Sequence, residues 1–276
     1  MYKYINVLIA GWLLSIASMA NASLITAPVD HFLFEAGATD TGTNPLTMQN
    51  IGGVTFADLT PNGLDGLAAV FNGNALRAQA AGSRPNNVSG DFSVSFWMQT
   101  STTSGSHDGP WYAGKGLVDS ERGGVTSDWG ISLINNKIAF GIGGRPRDTT
   151  IFSSTIVNDN LWHNIVAAWD ISTGSMNLFV DGLQSATGVS RSRNQRWGSN
   201  NLTLGSISTF ATQTASWSNN YKYDGLLADV RIYGQTLDIN DAQKLSTLVS
   251  VPEPSTLAIF ALGMIGLASC RFKKQF

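Results

Sequence analysis

Cysteine is almost missing from this chain: the single one in 276 residues is Cys270, close to the C-terminus. Everything before it folds without a disulfide and carries no thiol nucleophile. Histidine is equally scarce, with only His31, His107 and His163, and no His-Glu-x-x-His or Cys/His spacing suits zinc. There are three glutamates, Glu35, Glu121 and Glu253. Glu35 and Glu121 read as isolated acids and no Asp-x-Asp occurs, so the paired carboxylates that most glycosidases use are not seen. No Gly-x-Ser-x-Gly elbow accompanies the histidines, which removes the usual serine hydrolase signature.

Positive charge is also sparse where it would matter. Setting aside Lys3, Arg271, Lys273, Lys274 and Glu253, which belong to the chain ends, turns 17 basic and 19 acidic residues into 13 and 18. An acidic body, near −5, gives no electrostatic footing for nucleic acid. Arg191, Arg193 and Arg196 are the only basic cluster, and they sit in a Ser/Asn-rich stretch that reads as solvated surface.

Both ends carry address labels. Lys3, an apolar stretch from Ile5 to Ile16 and the small-x-small site Ala20-Asn21-Ala22 read as a secretory signal peptide over residues 1–22. This implies Sec-type export machinery and a signal peptidase as partners, with a mature start at Ser23. At the other end Pro252-Glu253-Pro254 precedes an apolar run and a basic finish. From Ser255 to Cys270 are 16 residues, a helix of roughly 24 Å, able to cross a ~30 Å hydrocarbon core only with thinning or snorkelling. Arg271, Lys273 and Lys274 orient such a helix with its C-terminus in the cytoplasm. The three-part tail, residues 250–276, resembles the PEP-CTERM sorting signal. That resemblance implies an exosortase-like membrane enzyme as partner, a Gram-negative envelope or surface destination, and an association with exopolysaccharide; retention and cleavage of the tail both stay open.

Between the labels, residues 23–249 form one β-rich domain. Phe92, Val94, Phe96 and Met98 alternate with polar or smaller neighbours, as do Trp129, Ile131 and Leu133. Asn135-Asn136 reads as a turn into Ile138, Phe140 and Ile142. His163 to Asp170 suits a strand covered on both faces, and Met176, Leu178 and Val180 lead into Asp181-Gly182, a two-residue hairpin signal. Leu226 to Ile232 is the last strand, followed by a short helix from Ile239 to Leu248 with Asp238 as its N-cap. Residues 101–110 and 184–200 read as long exposed loops. The pattern predicts an all-β, two-sheet antiparallel sandwich with one short C-terminal helix.

Five segments carry a family resemblance: Gly90 to Trp97, Asp128 to Leu133, Asn160 to Ala167, Leu178 to Gly182 and Asp224 to Tyr233. Their order is similar to that of the laminin-G-like, concanavalin A-like jelly roll, over roughly residues 29–248. The fold hosts lectins, adhesion modules, glycosidases and spacers, so it does not name a function. Glucanases of this family carry a Glu-x-Asp-x-x-Glu strand, which this chain lacks, and the expectation is a binding protein and not an enzyme. Resemblance also suggests a structural calcium near Asp40 and Asp229, with Asp128 a weaker candidate.

Aromatic residues in Gly/Asn/Ser-rich stretches supply the binding hypothesis: Trp111, Tyr112, Trp197, Trp217 and Tyr221, on which sugar rings can stack. Trp97, Trp129, Trp162 and Trp169 read as packing residues and His163 as structural, leaving His107 as the one histidine worth testing. The expected function is a carbohydrate-binding or adhesive surface module; a ligand-free spacer and a polysaccharide hydrolase are the alternatives.

Overall fold

The computed structural model describes residues 25–79, 88, 90–104, 109–124, 127–144, 147–192 and 201–247. The signal peptide, His107, Trp197, Cys270, the Pro-Glu-Pro motif and the apolar run 255–270 lie outside them. Among the described residues no helix is long and apolar enough to cross a membrane.

Among the described residues fifteen strands build two antiparallel sheets. In chain order they are β1 (Asp30–Phe32), β2 (Met48–Ile51), β3 (Thr55–Ala57), β4 (Ala68–Asn72), β5 (Ala75–Gln79), β6 (Phe92–Gln99), β7 (Lys115–Asp119), β8 (Trp129–Ile134), β9 (Lys137–Ile142), β10 (Thr149–Ile156), β11 (His163–Trp169), β12 (Ser175–Val180), β13 (Leu183–Val189), β14 (Asn201–Leu204) and β15 (Asp224–Tyr233). One sheet runs β13-β12-β11-β6-β15-β4-β3, with β1 also on β15; the other runs β10-β9-β8-β7-β14-β5-β2. Strands β7 to β10 stay in one sheet and β11 to β13 in the other, while elsewhere the chain passes repeatedly between the two sheets, as in a jelly roll.

Alternation fixes which face each residue takes. On β8 and β9 Trp129, Ile131, Leu133, Ile138, Phe140 and Ile142 turn inward and are fully buried. They meet Phe92, Val94, Phe96 and Met98 of β6 from the opposite sheet in one hydrophobic core. Phe92 stands at its centre, with ring centroids 4.9 Å from Trp129, 5.9 Å from Trp169 and 6.3 Å from Phe140. Asn135-Asn136 and Asp181-Gly182 turn the chain with φ between 51° and 74°, the left-handed geometry that two-residue hairpins require.

β15 explains a different irregularity. One of its edges pairs with β6, while the other is divided between β4, along Asp224–Ala228, and β1, along Val230–Ile232. Asp229 falls at the changeover, where the register with β6 shifts and φ is 49°, a conformation Asp tolerates better than most residues.

The sequence reading erred at residues 184–200. Their first part is β13, an edge strand whose composition, Leu-Gln-Ser-Ala-Thr-Gly-Val, is polar because it is buried on neither side as deeply as β11. It closes the sandwich against β10, where the Ser154 amide donates to Ser185 Oγ at 3.0 Å. Helix α1 (Ile239–Ser246) is shorter than expected. Asp238 caps it, accepting from the Asn240 and Asp241 amides, and Asp241 returns a bond to the cap. α1 packs on the outer face of the larger sheet, over Val166, Phe179 and Tyr233.

His163 is structural, as expected. Its Nδ1 is 2.8 Å from Asp181 Oδ2 and its Nε2 3.1 Å from Asp159 Oδ1, tying the loop before β11 to the β12–β13 hairpin. The bond to Asp181 raises its pKa above the usual 6.5, opposed by burial and helped by Asp159. A raised folded value means that this stabilisation is complete below about pH 6.5 and disappears as pH rises through the folded pKa. In urea titrations the wild type should therefore exceed His163→Gln in stability most clearly below pH 6, and the gap should narrow toward pH 9. A constant gap would show that the imidazole contributes only shape.

Candidate functional site

The outward face of the smaller sheet is paved with residues that have little or no side chain. Gly130, Ser132, Ala139 and Gly141 face outward on β8 and β9, in register with one another. This lets the 3-10 turn Trp111–Ala113 lie directly on the sheet. A Cβ on Gly141 would come within 1.9 Å of the Trp111 ring, and one on Gly130 within 2.5 Å of its Nε1. Trp111 is consequently fully buried, in a small second core with Ile134 and Ala139. It offers no ring face to a sugar, which corrects its place among the binding candidates.

The segment between β14 and β15 covers the neighbouring part of the same face. A Cβ on Gly116 would strike the backbone between Ser206 and Ile207, at 2.2 Å from the Ser206 carbonyl carbon. Both ends of β7 hold this segment. Asp119 Oδ1 accepts from the Ser208 amide at 2.7 Å and the Glu121 amide at 2.9 Å, and Ser208 Oγ donates to the Asp119 carbonyl at 2.9 Å. Lys115 Nζ donates to the Lys222 carbonyl at 2.9 Å and the Asn219 carbonyl at 3.3 Å. Inside the segment Lys222 Nζ donates to the Gln213 carbonyl at 2.9 Å.

This anchored loop carries an aromatic trio. Phe210 and Tyr221 stack with centroids 4.1 Å apart, and Trp217 meets Phe210 edge-on at 5.6 Å. Trp217 is 51% exposed. Beside the trio opens a pocket of about 430 Å³, bordered by Thr103, Ser104, Lys115, Asn220 and Tyr221, with Leu133 and Ile134 among its apolar walls. Two of the five aromatics proposed from sequence, Trp217 and Tyr221, are thus brought together. Phe210 was missed; its one signal was a large aromatic in a Ser/Thr/Gln-rich stretch.

Tyr112 lies elsewhere. Its phenol pKa is raised by partial burial and by Asp148, Asp128 and Glu121, which places it at an acidic end of the face. Asp119 is two residues before Glu121, so the reading of Glu121 as an isolated acid is also corrected. Neither residue is arranged as an open catalytic pair. Asp119 is fully buried, and burial, opposed by the bonds to Ser208 and Glu121, pushes its pKa up to about 8. Glu121 is raised by burial and accepts from Thr209 Oγ1, while burial, with help from Glu121 and Asp148, lifts Asp128 to about 7.

Asp40 and Asp229 do not fit a calcium ion. Asp40 spends its oxygens on the amides of His31, Gly42 and Leu46, each at 2.7 or 2.8 Å. Asp229 Oδ1 lies 2.7 Å from Arg231 Nε and 2.8 Å from His31 Nε2. Among the described residues no three His, Cys, Asp or Glu side chains converge as metal ligands. Next to Asp40, the carboxyl of Asp30 is fully buried, and burial, then the charge of Asp40 and a hydrogen bond shared with it, push it up to about 8.

A family model described as the concanavalin A-like lectin/glucanases superfamily, of laminin G type, matches residues 72–242. The chain belongs to this superfamily. A second model, the PEP-CTERM protein-sorting motif, matches residues 250–274 and so includes Pro252, Glu253 and Pro254. That motif marks an exported, membrane-associated surface protein and is the kind exosortase-type machinery recognises. No curated protein sequence matches the chain. Among solved structures, the binding domain of botulinum neurotoxin serotype G is similar with a TM-score of 0.58 at 18% identity, over 79% of this chain and 50% of that one. The binding domain of botulinum neurotoxin DC in complex with SialylT gives 0.57 at 16%, over 80% and 51%. The binding domain of Paraclostridial mosquitocidal protein 1 gives 0.58 at 16%, over 80% and 52%. The chain therefore spans about half the length of these neighbours, and at such identities the likeness concerns the fold alone: a laminin-G-like jelly roll, joined here to a sorting signal.

Two outcomes test this geometry. Trp111→Ala should cost about 3–5 kcal/mol in urea unfolding, and Gly141→Ala about 1–3 kcal/mol, because the added methyl meets the indole. Near-wild-type stability in both would mean that the turn does not rest on the sheet. EDTA should leave the melting temperature unchanged; a fall reversed by added calcium would restore the metal site.

Proposed function

We propose that the chain is a surface-displayed carbohydrate-binding module whose ligand sits in the pocket lined by Tyr221, Leu133 and Ile134 and extends over the exposed ring of Trp217 next to it. The carrying observation is that an anchored loop with a half-exposed tryptophan contributes Tyr221 and Asn220 to the wall of a polar pocket. Sugars present an apolar ring face and a rim of hydroxyls, and need both kinds of surface side by side. Thr103, Ser104, Asn220 and the Tyr221 hydroxyl supply the polar rim. Superfamily membership agrees with this reading, and so does the sorting motif, since a glycan-binding module finds its ligands outside the cell.

Residues 1–22 direct Sec-type export in this reading, signal peptidase releases the body, and the PEP-CTERM tail is handled by an exosortase-like enzyme in a Gram-negative envelope, its basic end cytoplasmic. The glycan is then most simply the exopolysaccharide of the producing cell or its matrix. Binding is favoured over hydrolysis because Asp119 and Glu121, the two acids at the end of β7, are buried under the loop that they hold.

A glycan array followed by calorimetry on the best ligand is the test. Trp217→Ala and Tyr221→Ala should each weaken binding about tenfold or more, a loss of about 1.4 kcal/mol or more, with little change in melting temperature. Failure of the wild-type protein to bind any glycan, including the host's own exopolysaccharide, would leave a spacer as the better description.

A further inference from the structure

We propose that the pocket selects an anionic saccharide, one bearing a carboxylate as uronic acids do, and that Lys115 supplies the matching charge. The inference rests on the carbohydrate-binding reading above and adds the class of sugar.

Among the described residues that line the pocket, Lys115 alone carries a formal charge; its polar companions Thr103, Ser104, Asn220 and Tyr221 are neutral. The body around it is acidic, with 13 basic against 18 acidic residues once Lys3, Arg271, Lys273, Lys274 and Glu253 are set aside from the 17 and 19 of the whole chain. A pocket that is positive on an acidic protein departs from its surroundings in the direction that draws in an anion.

The way Lys115 is held sharpens the case. Two of its contacts, to the Lys222 and Asn219 carbonyls, are with neutral groups. They fix the ammonium in place without cancelling its charge. Its one carboxylate neighbour is Asp224, at 3.5 Å and 40% exposed, a loose ion pair that water and salt weaken. The lysine side chain itself is only 14% exposed, so its field reaches the pocket with less screening than a surface lysine's would. Asn219 belongs to the same 3-10 turn, Ser216–Tyr221, that carries Trp217 and Tyr221. The ammonium and the stacking rings are thereby set at a fixed spacing by one piece of backbone. A sugar lying beside Tyr221 can turn its carboxylate toward Nζ and take over the donor that now reaches Asp224 at 3.5 Å, a charge-assisted contact stronger than the hydroxyl contact a neutral sugar would make there. A single lysine offers one positive charge, which matches the single negative charge of a sugar carboxylate.

The test is calorimetric titration of the full chain in detergent with oligogalacturonate and oligoglucuronate, each beside the same oligosaccharide with its carboxyls reduced to alcohols. The acidic form should bind at least tenfold tighter, the advantage should shrink between low and 0.5 M salt, Lys115→Gln should bring the ratio of the two affinities close to one, and Lys115→Arg should restore much of it. Equal affinities for both forms, or an unchanged ratio in Lys115→Gln, would overturn the charge assignment while leaving carbohydrate binding intact. Absence of binding to every saccharide on the array would overturn both. Should Lys115→Gln fail to fold, the comparison of acidic with reduced ligand on wild-type protein decides by itself.

Discussion

The outer face of the smaller sheet works because side chains are missing from it. Gly116, Gly130 and Gly141 each sit where a single Cβ would collide with backbone or ring at 2.5 Å or less. Their bareness allows two segments distant in sequence to lie in van der Waals contact with β7, β8 and β9. One brings Trp111 to rest as a second, small core; the other is the loop that carries Phe210, Trp217 and Tyr221. Were the face built of ordinary alternating polar residues, both segments would be lifted away from the sheet. The pocket walls at Ile134 and Tyr221 would then separate. The candidate site is therefore a consequence of sheet composition as much as of loop composition.

β7 supplies the electrostatic counterpart. Its five residues span roughly 13–17 Å, with Lys115 at one end and Asp119 at the other, and each holds the same loop by hydrogen bonds to its backbone. The two groups live under opposite conditions. Asp119 is sealed, and burial drives its carboxyl toward the neutral form. Lys115 remains at the pocket wall, bound mostly by carbonyls. Burial thus removes charge at the acidic end of the strand and leaves it at the basic end, beside the aromatic trio.

Much of the fold was legible because it rests on local patterns. Alternation in β6, β8, β9 and β12 shows which residues turn inward, Asn135-Asn136 and Asp181-Gly182 announce their turns, and Asp238 announces α1. What could not be read depends on tertiary neighbours. Pro110-Trp111-Tyr112-Ala113-Gly114 looks like an exposed aromatic loop until Gly130 and Gly141 are placed beneath it. β13 has a loop's composition because it is an edge strand, and only pairing with β12 makes it a strand. The Asp119-Ser120-Glu121 spacing was visible in sequence and passed over; its burial was not visible. Of the site, sequence pointed to Trp217 and Tyr221, while Phe210 and Lys115 became recognisable only when the loop folded back on β7.

The two ends of this functional argument meet in the placement of α1. It packs on the outer face of the larger sheet, whereas the pocket lies over the outer face of the smaller one. Stacked sheets are about 10 Å apart, so the whole hydrophobic core separates the helix from the pocket. Residues 250–274, which carry the sorting motif, follow α1 in sequence with only a few residues between. The described chain consequently ends on the side of the sandwich away from the pocket of the proposed glycan site. No residue that lines the pocket belongs to α1 or to the stretch that carries the sorting motif. The proposed binding site and the sorting motif thus draw on separate residues, so that neither function constrains the sequence used by the other.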